Sequence, residues 1–201
     1  MGLEKLRDAA FQLVSAIKNN ENALVIVDSD TDGFTSSAIL INYLHDLFPS
    51  WEEGHLEYIM HGGKQHGLKD HIDFIIDKKY SLILVPDAGT NDVEECKQLK
   101  KLGMNVIILD HHLQEQINPY AIVINNQTCN YPNKDFSGAG VVYQFCRYLD
   151  KLLNINNADD HLDLAALGLC ADMMSMTSFE TKHLENKGFE NVKNPFFAYM
   201  F

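Results

Sequence analysis

Apolar runs rich in Val, Ile and Leu recur along the chain at Ala23 to Val27, Leu56 to Met60, Leu82 to Val85, Val106 to Leu109 and Ala121 to Ile124. Stretches of helical periodicity separate most of them. Runs this uniformly apolar predict strands covered on both faces, as in a parallel sheet, because a sheet open to water on one side alternates apolar with polar positions. Helices are predicted at roughly Leu3 to Lys18, Phe34 to Leu47, Leu68 to Lys78, Asp92 to Leu102, Gly138 to Leu152 and Asp160 to Met173. The expected fold is therefore α/β, a mainly parallel five-stranded sheet with helices on both faces. Beyond Met176 the pattern changes: Ser178 to Asn194 is polar, and the chain ends on Asn194-Pro195-Phe196-Phe197-Ala198-Tyr199-Met200-Phe201.

With 201 residues and 46% hydrophobic content, the chain can bury the core of one large domain. No apolar run approaches the roughly 20 residues that cross a bilayer. The first twenty residues read as an amphipathic helix with acidic positions, unlike a secretory signal, so the expectation is a cytoplasmic protein with no membrane partner. Cys96, Cys129, Cys146 and Cys170 are widely spaced without a CxxC pair and read as reduced thiols. A formal charge of -12 argues against a broad electrostatic grip on nucleic acid, which rests on Lys and Arg. Bound metal would cancel part of that charge.

Candidate chemistry sits where the strands end. Val25-Ile26-Val27-Asp28-Ser29-Asp30-Thr31-Asp32-Gly33-Phe34 follows an apolar strand with three carboxylates at every second position. Such crowding is costly unless a cation or a raised pKa relieves it. Asp87 follows the third run in VPDAGTND, and Asp110-His111-His112 follows the fourth in VIILDHHL. In an open parallel sheet, ligands gather beyond the carboxyl ends of the strands. Each of these Asp residues taken alone reads first as a helix N-cap or turn former; the whole set does not. Oxygen-rich donors with imidazoles and no thiolate favour Mn²⁺ or Mg²⁺, and two such ions sharing one bridging Asp form the clamp used in phosphoryl displacement.

Other positions carry weaker signals. Asp172 ends an apolar helix around Leu162 to Leu169, either as a ligand or as an exposed terminal carboxylate. Met173, Met174 and Met176 read as core fillers. Ser137-Gly138-Ala139-Gly140 opens a helix, where backbone N–H groups cradle a phosphate or glycine permits close packing. The loop His61-Gly62-Gly63-Lys64-Gln65-His66-Gly67 is basic, and His61, Lys64 and His66 read either as contacts to a nucleic-acid backbone or as a solvated loop. Asn125 and Asn126 orient neighbouring groups or form a turn. No GxGxxG follows the first strand, which disfavours a dinucleotide-binding module.

The segments DSDTDG, VPDAGTND, LDHHL and LGLCADMMSM, in that order, resemble the four motifs of the DHH phosphoesterase superfamily. Within it, DSDTDGFTSSAIL, INNQTCNYPNKDFSGAGVVYQF and LDLAALGLCADMMSMT running into NKGFE are similar to the RecJ-like exonucleases specific for single-stranded DNA. The resemblance covers Ala23 to about Glu190. It implies a pair of Mn²⁺ or Mg²⁺ ions, one held by Asp28 and Asp30, the other by Asp32, His111 and Asp172, with Asp87 bridging. Asp110 is counted with the metal-binding set. Asp87 and His111 are catalytic through the metals, and His112 faces the scissile phosphate, stabilising charge or protonating the leaving oxygen. Ser137, Gly138 and Gly140 would lie near the substrate. Many superfamily members carry a histidine where this chain has Ile26; RecJ-like members often lack it and have an extra first Asp, here Asp28.

The implied activity is hydrolysis of phosphodiesters in single-stranded DNA from the 5′ end by a metal-activated water. Other branches of the superfamily act on short oligonucleotides, cyclic dinucleotides or nucleotide 3′-phosphates, and non-catalytic relatives serve as scaffolds but tend to lose metal ligands. Residues 1–176 are expected to form the catalytic domain. Residues 177–201 would begin a helical connection to a second, substrate-holding domain, whose Gly-rich GGGH-type motif this chain does not contain.

Overall fold

A computed structural model describes residues 3, 5–63 and 65–199. Lys64, Met200 and Phe201 lie outside the described residues, so the backbone contact considered for Lys64 has no structural account. The five apolar runs form β1 (Ala23–Val27), β2 (Leu56–Met60), β3 (Leu82–Pro86), β4 (Asn105–Asp110) and β5 (Ile122–Asn125). They make one sheet in the order β2-β1-β3-β4-β5, parallel at every pairing. The strand order reverses between β1 and β3, and that switch point opens a crevice at the carboxyl ends of the strands.

The period of two along each strand sorts the core into two layers. Val25, Val27, Leu84, Ile107 and Leu109 pack with α1 (Leu6–Lys18), α2 (Thr31–Leu47), α6 (Gly138–Leu153) and α7 (Leu162–Ala171). Leu24, Ile26, Ile83, Val85, Val106 and Ile108 face the opposite way, toward α4 (Ile72–Lys78) and α5 (Val93–Lys101). Both faces are covered over β1, β3 and β4, which is why those strands read as unbroken apolar runs, whereas the edge strand β2 carries Glu57 and leaves Tyr58 and Met60 exposed.

Several boundaries depart from the pattern for visible reasons. Helix α2 begins at Thr31 rather than Phe34, because the Asp30 carboxylate accepts the Gly33 N–H at 2.8 Å and caps the helix one turn earlier. A short α3 (Pro49–His55), where the pattern gives no helix, starts on Pro49 and buries Trp51, whose Nε1 donates to the Glu21 carbonyl at 3.2 Å. In the polar stretch after Ser178, α8 (Phe179–Glu190) buries only Thr181, Leu184 and Gly188. A Cβ on Gly188 would lie 2.5 Å from the Ala166 Cβ, so glycine lets α8 run close against α7. The final α9 (Pro195–Tyr199) tucks in Phe197 and leaves Phe196 and Tyr199 exposed. The core-filling role expected of the methionines fails for two of three: α7 ends at Ala171, Met173 turns outward at φ 51°, and Met173 and Met176 are exposed while Met174 packs on the core. All four cysteines are free, three buried and Cys170 exposed.

One buried carboxylate ties the helical layer together. Asp150 accepts the Tyr43 hydroxyl at 2.8 Å through Oδ1 and the N–H groups of Asn157 and Ala158 at 2.9 and 2.8 Å through Oδ2. Asp150→Ala strands those three donors and should lower unfolding free energy by about 3 kcal/mol, read from the midpoint of a urea transition.

Candidate metal centre

The first cluster of carboxylates forms as β1 gives way to α2. Asp28 leaves the strand buried, its Oδ1 accepting the Ser29 N–H at 2.7 Å. Asp30 is the exposed helix cap described above. Asp32 falls in the first turn of α2, buried, with Oδ2 accepting the Gly138 N–H at 2.6 Å and Oδ1 the Ala139 N–H at 3.1 Å. The amino end of α6 therefore holds a side-chain carboxylate from across the crevice, where helix polarity favours negative charge.

Glycines make this closeness possible. A Cβ on Gly33 would sit 2.4 Å from the Asp28 Cβ, one on Gly138 2.2 Å from Asp87 Oδ1, and one on Gly168 2.4 Å from Asp32 Oδ1. Of the stretch expected near substrate, Gly138 gives its N–H to Asp32, Gly140 packs under the Phe136 ring, and the fully buried Ser137 Oγ has no hydrogen-bond partner. That placement corresponds to close helix packing, the other reading of this stretch.

Asp87 follows β3 with φ 66°, a left-handed conformation that costs a non-glycine residue about 1–3 kcal/mol. Its N–H donates to the Leu109 carbonyl at 2.8 Å, and its carboxylate turns into the crevice, where Oδ1 is buried without a hydrogen-bond partner. Burial first, and then the neighbouring charges of Asp32, Asp110 and Asp30, push the Asp87 carboxyl up to about 11. A carboxyl in that setting carries its charge readily only beside a cation.

His111, from the end of β4, points Nε2 at three carboxylates: Asp87 Oδ1 at 3.3 Å, Asp172 Oδ2 at 3.6 Å and Asp32 Oδ2 at 3.9 Å. Asp172 caps α7 and is half-buried; burial raises its carboxyl against the opposing pull of His111. Potential donor atoms converge within 4.8 Å in three sets: Asp28, Asp30 and Asp87; Asp32, His111 and Asp172; and Asp87, His111 and His112. Oxygen with one or two imidazoles and no thiolate is a donor set for Mn²⁺ or Mg²⁺, and Asp87, whose Oδ1 has no hydrogen-bond partner, is common to two of the three sets.

Asp110 stands apart from the expected ligand set. Its Oδ1 accepts the His111 N–H at 2.7 Å, the His112 N–H at 3.1 Å and His112 Nδ1 at 2.7 Å, and its Oδ2 accepts the Thr90 N–H at 3.0 Å. Burial alone would raise this carboxyl, but the bonds from His112 and Thr90 outweigh it and hold it well below the usual range. With its lone pairs engaged, Asp110 belongs to none of the three donor sets; it aims the half-exposed His112 and raises that imidazole's pKa by accepting its Nδ1–H. Asn125 braces the same turn, donating to the His112 carbonyl at 2.8 Å and to Thr90 Oγ1 at 2.9 Å, while its Oδ1 accepts the Gln127 N–H and closes a turn.

The loop after β2 differs most from expectation. His61 is buried and packs on His71 with ring centroids 4.4 Å apart, out of reach of a nucleic-acid backbone. His66 instead reaches the centre: its Nδ1 lies 2.5 Å from Asp28 Oδ2. No periodicity or spacing marks His66 as part of the site; the local hint is the Gly67-Leu68 pair that fixes the loop behind it.

A parallel α/β sheet that gathers carboxylates and imidazoles at its switch point defines an α/β protein with a composite divalent-metal centre. The chain belongs to the DHH family: residues 22–169 match the model of the DHH family N-terminal domain. Among curated proteins it is 39% identical over 200 residues to YorK of Bacillus subtilis strain 168, an SPbeta prophage-derived protein described provisionally as a single-strand DNA-specific exonuclease. That match covers 99% of this chain and 34% of YorK, so the chain spans about a third of its relative's length. Among solved structures, an exonuclease RecJ bound to manganese shares the fold with a TM-score of 0.84 at 24% identity, covering 96% of this chain and 49% of that one. RecJ of Thermus thermophilus in complex with Mn²⁺ has a TM-score of 0.79 at 25% identity, covering 94% of this chain and 27% of that one. No helix among the described residues is long and apolar enough to cross a membrane.

Proposed function

We propose that this chain is the catalytic part of a metal-dependent phosphodiesterase that shortens single-stranded DNA from its 5′ end. One observation carries the reading: Asp87, buried and left-handed, belongs to two donor sets at once, with Asp28 and Asp30 on one side and with His111 and His112 on the other. YorK's description as a single-strand DNA-specific exonuclease and the Mn²⁺ of the Thermus RecJ support both substrate and cofactor.

In this reading a pair of Mn²⁺ or Mg²⁺ ions supplies Lewis acidity and a nucleophilic water near neutral pH. Asp28 and Asp30 would hold one ion and Asp32, His111 and Asp172 the other, with Asp87 available to both. The N–H groups of Gly138 and Ala139 hold the Asp32 carboxylate in place. His112, held by Asp110, stands half-exposed at the rim, where an imidazolium donates a hydrogen bond to a phosphate oxygen or a proton to the leaving oxygen. Residues 1–176 form the catalytic part, 177–201 lead toward the part that grips the strand, and the setting is cytoplasmic.

The test is Mn²⁺-dependent release of mononucleotides from 5′-phosphorylated single-stranded DNA, with duplex DNA, 3′-end-labelled strands and dinucleotides as comparators. Release from the 5′ end that stops in EDTA and resumes with excess Mn²⁺ is expected. Preferred turnover of dinucleotides would move the substrate to short oligonucleotides, and undiminished release in chelator would overturn the metal chemistry.

A further inference from the structure

We propose that His66 is a positioning residue of the metal centre, clamping Asp28 from outside so that this carboxylate meets the cation shared with Asp30 and Asp87. The inference rests on the metal-dependent reading above and extends it to a residue outside the four strand-end motifs.

Asp28 has two oxygens and two fixed partners. Oδ1 takes the N–H of the adjacent Ser29, and Oδ2 takes His66 Nδ1 at 2.5 Å from a loop that follows a different strand. On its inner side the Asp28 Cβ rests against Gly33, where no side chain fits. A carboxylate has about four lone-pair sites, so one bond to each oxygen leaves capacity for a cation while fixing the plane of the group. Without His66, only the Ser29 N–H would set that plane.

His66 is itself held, although its ring is half-exposed. Asp92 Oδ2 accepts the Leu68 N–H at 2.7 Å, and Leu68 is fully buried in the core beneath the sheet. Gly67 takes φ 75°, and a Cβ there would lie 2.1 Å from Asp92 Oδ2, so glycine is required where the loop closes on Asp92. The route is continuous: Asp92 fixes Leu68, Leu68 fixes the loop end, the loop end places His66, and His66 holds Asp28. Nδ1 is engaged by Asp28, which leaves Nε2 as the outward nitrogen of the ring. Among the described residues, no other candidate ligand receives an imidazole from outside its own strand-end motif except through His111. Outer partners of this kind typically change metal affinity by about 10–100-fold when removed.

The experiment is calorimetric titration of the full chain with Mn²⁺, comparing wild type, His66→Ala and His66→Asn, with thermal melting in EDTA to confirm folding. Asn places an amide N–H where the imidazole has Nδ1–H. The expected result is a weakening of one of the two Mn²⁺ sites by about 10–100-fold in His66→Ala, with recovery to within a few-fold of wild type in His66→Asn and unchanged melting. Wild-type affinity at both sites in His66→Ala overturns the inference and leaves the proposed function standing. Equal losses in His66→Ala and His66→Asn also overturn it, since they show that the donated hydrogen bond is not what matters. Absence of Mn²⁺ binding by the wild type overturns inference and proposed function together.

Discussion

Asp87→Asn will make the metal-free chain more stable and the Mn²⁺-treated chain less stable than wild type. Asp87 is buried, and its carboxyl is pushed up to about 11 by burial and by the charges of Asp32, Asp110 and Asp30. The unfolded chain gives up that proton near pH 4, whereas the folded, metal-free chain keeps it until about pH 11. Between those values the folded state binds more protons, so stability falls as pH rises. An amide cannot ionise, so the variant loses this penalty, and its melting temperature in EDTA should exceed that of wild type at pH 8 and vary less with pH. With Mn²⁺ the order inverts. A cation at 100 times its dissociation constant stabilises the wild type by about 2.7 kcal/mol, and the variant, lacking the bridging charge, forgoes most of that. Hydrolysis should fall by more than the roughly 100-fold that loss of an outer partner costs. Melting curves at several pH values, with chelator and with Mn²⁺, check the crossing; a variant that remains Mn²⁺-stabilised and active contradicts the bridging role.

Gly168→Ala will destabilise the fold, although alanine is the better helix former. Inside an exposed helix the exchange would gain about 0.5–1 kcal/mol. Gly168 lies where α7 meets α2 and α6, and a Cβ there would stand 2.4 Å from Asp32 Oδ1, 2.5 Å from the Ala139 Cβ and 2.6 Å from Thr35 Oγ1. None of these distances is tolerable, so helix α7 must move or Asp32 must leave the Gly138 and Ala139 N–H groups. Overpacking of this kind costs about 1–3 kcal/mol, and each kcal/mol lowers the melting temperature of a chain this size by about 2–4 °C. Mn²⁺ affinity should fall with it, because Asp32 shares its donor set with His111 and Asp172. A rise in melting temperature would show that the helices separate freely and that Asp32 is not set by their packing.

The centre of the sheet was legible because burial on both faces writes itself as unbroken Val, Ile and Leu in β1, β3 and β4; β2, exposed over Glu57, Tyr58 and Met60, also became a strand, and all five runs did so within a residue or two. The gathering of Asp28, Asp30, Asp32, Asp87 and His111 was legible for a related reason, since parallel strands all release their next residues at one edge of the sheet; Asp172, at the end of helix α7, was legible only through the motif it resembles. Besides α3 and the two exposed methionines, three features escaped. Asp110 lies beside His111 in sequence but spends its oxygens on the backbone of its own turn and on the Thr90 N–H after β3, a distinction that depends on backbone direction rather than residue type. Helix α8 hid because it buries a threonine, a leucine and a glycine, too little apolar surface to stand out in a polar stretch. His66 hid because a loop contact has no period. Glycine was informative in a way that composition conceals: Gly138 and Gly168 stand against the Asp87 and Asp32 carboxylates, and Gly33 against the Cβ and backbone of Asp28, where a side chain would clash.

The single carboxylate of Asp110 gathers three backbone amides, from Thr90, His111 and His112, that belong to the ends of two neighbouring strands. Those amides share one acceptor group, so none can detach without slackening the others. The rim of the crevice accordingly loosens as one cooperative unit, and whatever steadies that unit steadies His111 and His112 at the same moment.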